Sequence, residues 1–153
     1  MPGESATIGH LFAIRWDTVA YSDLPILVRD VRTLCEKTGR PVIYVAIQDD
    51  DYHEPPAAVK QAFKHWFPEL MKFVKTDYLV ISATGIQASL QRSILKAMLI
   101  SGRITHMPYL DRIVILDTVE EVLRREALDL PAPASVILSE LRQKHVLRSR
   151  AYA

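Results

Sequence analysis

Hydrophobic positions along the 153-residue chain fall into segments with two different periods. Thr7 to Trp16 alternates, with Ile8, Phe12, Ile14 and Trp16 on one side, and predicts a first strand that also carries His10 on its apolar side. Pro41–Gln48 (PVIYVAIQ), Tyr78–Ile81 (YLVI) and Arg112–Leu116 (RIVIL) are short, nearly continuous apolar runs, the pattern of strands covered on both faces. Between them the period becomes helical. Leu24, Leu27, Val28, Val31, Leu34 and Cys35 form a stripe that starts at a Ser22 or Asp23 cap, carries Pro25 in its first turn and ends at Gly39. Val59, Ala62, Phe63, Trp66, Phe67, Leu70, Met71 and Val74 form a second, in which Pro68 predicts a kink or a restart. Ile86, Leu90, Ile94, Ala97 and Met98 form a third, whose stripe is expected to face a core. Thr84 and Gln87 have capping-box spacing at its start, and Gly102 marks its expected end.

After a linker at Ile104–Leu110 and the strand RIVIL, Asp117 or Thr118 caps a short helix from Val119 to near Ala127. A final helix is predicted over Ala134–Leu147, with Ile137, Leu138 and Leu141 inside. Residues 1–6 are expected to be a loose terminus, residues 17–21 a turn or a short strand, and the basic end RQKHVLRSR a fraying tail. Strands that alternate with helices require an α/β architecture, here a mostly parallel sheet of four to five strands with right-handed crossovers and helices on its faces. The expected organisation is one α/β domain over residues 1–130, followed by a C-terminal helix and basic tail over 131–153.

Composition narrows the function classes. Hydrophobic residues make up 49% and charged residues 24%, with a net charge of +1, so no global charge favours nucleic acid or an acidic membrane. The single cysteine, Cys35, forms no internal disulfide framework and reads as a small hydrophobe. No basic-then-apolar leader opens the chain and no apolar run reaches the roughly 20 residues of a spanning helix, which leads to an expected cytoplasmic location.

Two stretches carry candidate chemistry. The turn Ser82–Gly85 lies at the carboxyl end of a predicted parallel strand and at a helix N-terminus, where open α/β sheets bind ligands and anions. No Asp or Glu occurs from Tyr78 to Leu110, whereas Arg92, Lys96 and Arg103 do. The acidic loop Asp49, Asp50, Asp51, His53 and Glu54 also follows a strand; its residues suit a divalent cation, with Asp117 as a further ligand, but a solvated loop that caps the next helix is the simpler reading. No nucleophile elbow, Walker loop or dinucleotide fingerprint is present, so no catalytic residue and no cofactor are assigned and the chain is not read as an enzyme.

The order FAIRWDTVAYSDL, PVIYVAIQ, YLVISATGIQASL and RIVILDTVEEVL, from Leu11 to Ala127, resembles the SpoIIAA-like or STAS-fold proteins, in which the last strand commonly runs into such a helix. In the anti-sigma-factor antagonists of that superfamily a strand leads into Asp-Ser-Ser/Thr-Gly-Leu, and the first hydroxyl residue is phosphorylated by a partner kinase. Thr84-Gly85-Ile86 matches the end of that motif, while Ser82 stands at its Asp and Ala83 at its phosphoacceptor. The resemblance implies a non-catalytic regulatory module, in bacterial signalling, that contacts a protein partner or a second copy of itself through Ser82, Thr84, Gly85, Arg92 and Lys96. In such a dimer the acidic loop would meet the acid-free stretch across the contact. The alternatives are a small-molecule or lipid binder with a cavity lined by Phe63, Trp66 and Phe67, and a metal-dependent phosphate-handling enzyme.

Overall fold

The computed structural model describes residues 3–104 and 109–148. Its centre is β3 (Val42–Gln48), six of whose seven residues are buried. Apolar residues on both faces of this strand demand cover on both sides. On one face, Tyr44 and Ala46 meet Leu27, Val31 and Leu34 of α1 (Asp23–Thr38) and Leu70 and Met71 of α2 (Ala57–Met71). On the other, Ile43, Val45 and Ile47 meet Val119, Val122 and Leu123 of α4 (Val119–Arg125) and Ile137 and Leu141 of α5 (Ala134–Gln143).

The sheet has five strands in chain order: β1 (Ser5–Ile8), β2 (Leu11–Arg15), β3, β4 (Val74–Ile81) and β5 (Ile113–Leu116). β1 is antiparallel to β2 and the remaining pairs are parallel. Each crossover therefore steps one strand in the same direction, with α3 (Ile86–Ile104) between β4 and the edge strand β5.

Several expectations need correction. The opening alternation is a hairpin rather than one strand, because Gly9 adopts φ 54° and reverses the chain; Ser5 and Ala6 of the supposed loose terminus belong to β1. α2 runs unbroken through Pro68. Phe63 on that helix is exposed, and Trp66 and Phe67 are only half-buried. Val74 belongs to β4. α3 continues past Gly102 to Ile104, and it starts at Ile86, which puts Gly85 rather than Thr84 at the cap position. Thr118 does cap α4, accepting the Glu121 amide at 3.3 Å, and Gly39 ends α1 at φ 66°.

The largest correction concerns α3. Ile86, Leu90, Ile94 and Met98 of its expected core stripe are exposed large apolar residues, and Ala97 is exposed as well. Its inner side is instead Ala88 and the half-buried Leu95 and Leu99.

The C-terminal segment is no loose tail up to residue 148. α5 ends at Gln143, and His145 takes a left-handed turn (φ 58°) that sends the Val146 and Leu147 amides back to the Leu141 carbonyl. Val146 is fully buried with the α4–α5 core. Ile137→Ala, deep in this layer, should cost on the order of 3 kcal/mol in urea unfolding with the m-value retained.

Candidate functional site

The parallel strands end together, so the residues that follow them converge on one rim of the sheet. This carboxyl rim carries Asp17 after β2, Asp49–Asp51 after β3, Ser82–Gly85 after β4 and Asp117 after β5.

The acidic loop and the β4–α3 turn meet here within one chain. Asp50 Oδ1 accepts the Thr84 amide at 2.8 Å, and the Thr84 hydroxyl lies 3.3 Å from the same oxygen. Arg92 is not a solvated basic residue: its Nη1 donates to the carbonyls of Ile81 and Ala83, both at 3.0 Å, and its Nε lies 3.5 Å from Asp117. Those bonds clamp the turn from below, leaving Ser82, Thr84 and Gly85 exposed on it and Lys96 exposed farther along α3.

Carboxylate oxygens of Asp17, Asp49 and Asp51 gather within 4.8 Å of one another, whereas His53 and Asp117 of the expected metal set stand outside the group. Two guanidinium groups balance the three acids. Arg15 Nη1 lies 2.6 Å from Asp17 and 3.8 Å from Asp49, and Arg148 pairs with both Asp49 and Asp51. A cation entering this cluster would have to displace Arg148, an expense that an open carboxylate site does not carry. Arg15 also donates from Nε to the His145 carbonyl at 3.1 Å, so the acidic loop and the C-terminal turn are fastened together. Glu54 pairs with Lys60, and Pro56, which cannot cap through a side-chain hydrogen bond, precedes α2; the acidic side chains therefore do not cap that helix.

The opposite, amino rim holds a network that sequence reasoning missed. Tyr78 donates to Glu126 Oε1 at 2.6 Å, Lys75 reaches Glu126 at 2.8 Å and Asp129 at 3.1 Å, and Asp129 also takes Arg40 and stands 3.4 Å from His10 Nε2. Burial, and then the facing Glu126, push the Tyr78 phenol up. The Glu126 hydrogen bond raises Lys75, and the Lys75 hydrogen bond lowers Asp129. The network ties the α4–α5 connection to the sheet. Its members lie up to 119 positions apart, a separation with no trace in local periodicity. Tyr78→Phe leaves the buried Glu126 short of a donor and should cost about 1–3 kcal/mol in denaturant melts.

A further buried acid, Asp77, lies on β4 between Tyr44 of β3 and Ile113 of β5. Its only sequence signal is a lone carboxylate at the head of an apolar run. Removal from water pushes its carboxyl up to about 7. Burial, and then the Asp77 charge, raise the Tyr44 phenol too. The folded state thus holds a proton on Asp77 that the unfolded chain releases near pH 4, and stability falls as pH rises from about 4 to about 7. Asp77→Asn should flatten this decline and stabilise the protein at pH 8 while changing little at pH 4, as read by thermal melts across pH.

A shallow groove of about 680 Å³ runs along α4 and the α4–α5 connection, lined in part by Leu123, Leu130, Pro131 and Leu138. It lies away from Phe63, Trp66 and Phe67; Phe63 and Phe67 instead pack on each other with ring centres 5.5 Å apart. Among the described residues no helix is long and apolar enough to cross a membrane. Compared with protein-family models, with curated proteins and with solved structures, the chain matches none.

Proposed function

We propose that this chain is a non-catalytic regulatory protein-interaction module of STAS-like fold, of the kind used in bacterial signalling. Its working surface is the β4–α3 unit, with Ser82, Thr84, Gly85 and Lys96 as contacts and Arg92 as the residue that holds the turn in shape. The observation that carries this reading is the exposure of the apolar stripe of α3. Ile86 is 89% exposed, Met98 63% and Leu90 59%, on the helix that follows the exposed turn. Contiguous apolar surface of this kind on a water-exposed helix marks a place that another molecule covers.

The resemblance in element order from Leu11 to Ala127 supports the choice of a partner-binding role. Asp50 argues against a phosphate on Thr84 as the switch, because the added charge would face a carboxylate already bonded to that hydroxyl. The acidic loop contributes Asp50, His53 and Glu54 to the rim of the contact, whereas Asp49 and Asp51 are engaged by Arg148.

A pull-down from native lysate with the wild-type chain, beside the double variant Ser82→Arg, Lys96→Glu, tests the proposal. The expected result is a specific protein partner retained by the wild type and reduced at least tenfold by the variant. Failure of the wild type to retain any specific partner overturns the module reading, and undiminished capture by the folded variant overturns its placement at this turn.

A further inference from the structure

The exposed side of α3 contains its own complement. At about 100° per residue, Ile86, Leu90, Ile94 and Met98 recur every four positions and form one inclined ridge of large apolar side chains. Ser89, Ser93 and Ala97 recur with the same spacing immediately beside it and form a shallow furrow. All three are exposed. Ser93 already donates its hydroxyl to the Ser89 carbonyl at 3.1 Å, so covering it strands no donor.

From this geometry we infer that α3 pairs with α3 of a second copy of the chain, the ridge of each helix lying in the furrow of the other. It rests on the reading of the β4–α3 unit as a contact surface and names the occupant of its helical part. Ridges of four-residue spacing that interdigitate from both sides give the commonest helix–helix crossing, near −50°. A two-fold axis brings the same patch of each copy together, which requires a patch that is self-complementary.

Charge and area favour a second copy over a different partner. The face between Ile86 and Met98 presents no charged side chain at its centre, with Lys96 at its margin, so its centre offers no charge to a partner and none to repel its own copy. The five exposed residues Ile86, Leu90, Ile94, Met98 and Ile100 leave on the order of 600 Å² of surface to cover on each copy. Complete cover of two such faces would bury about 1,200 Å², the lower bound of specific protein interfaces. The pair is therefore expected to be reversible, with dissociation in the roughly micromolar range.

Sedimentation equilibrium of the full chain from about 1 to 100 μM tests the pairing. The wild type should rise toward twice its single-chain mass, and Leu90→Glu with Ile94→Glu should hold it at the single-chain mass with an unchanged folded-state circular dichroism spectrum. In a Cys35→Ser background, Ser93→Cys, near the two-fold axis, should link to its own copy with a short bis-maleimide, whereas Val136→Cys, exposed on α5, should not. A wild type that stays at single-chain mass throughout overturns the inference. So does a dimer that survives both glutamates, or Ser93→Cys that links no faster than Val136→Cys. Capture of a partner at the turn is read separately. A single-chain wild type that still retains its partner defeats the pairing alone, and a dimer that retains no other protein defeats the external partner alone.

Discussion

Cover over the sheet is the constraint from which the rest of the structure follows. β3 is buried on both faces, so the fold needs a helical layer on each side, and the one-directional strand order distributes that cover unevenly. A helix is about 10 Å wide and strands are about 4.8 Å apart, so each crossover helix fits over two strands. α1 and α2 have interior strands beneath them. α3 reaches the end of the sheet, where its neighbours are the four-residue β5 and the 3-10 turn Leu110–Arg112. Half of an apolar helix is therefore left without sheet to cover. The surface available for interaction is a consequence of where the sheet stops.

The two rims show how the fold uses charge. At the carboxyl rim, Arg15, Arg92 and Arg148 hold loops and the C-terminal turn against the strand ends. At the amino rim, Glu126 and Asp129 gather Tyr78, Lys75, Arg40 and His10 and fasten the α4–α5 layer. Isolated exposed pairs contribute little to stability, but Glu126 is buried, so its bonds must be complete for the layer to seat. Most of the residues that chemistry would single out are thus committed to architecture. What they leave open is shape: an exposed turn and the helix that follows it.

The fold class was legible because its signals are local. The runs PVIYVAIQ, YLVI and RIVIL fix three strands through unbroken apolarity, and the stripe from Leu24 to Leu34 fixes a helix through its period. The candidate site was legible in part. Its turn lies where the strand–turn–helix order put it, and the acidic loop stands beside it, since both follow adjacent parallel strands. Arg92 was found as a residue but not as a clamp, because the carbonyls it binds become its neighbours only when the turn folds back over the helix.

Sequence by itself determined that strands and helices alternate from Leu11 onward, and that the sheet must be layered. Tertiary structure decided which side of each helix is inside. Period reports that a helix has an apolar stripe, and on α1 that stripe met the core. On α3 the residues Ile86, Leu90, Ile94 and Met98 have the same period and face outward, because the short edge strand gives contact to only one side of a helix that is apolar on both.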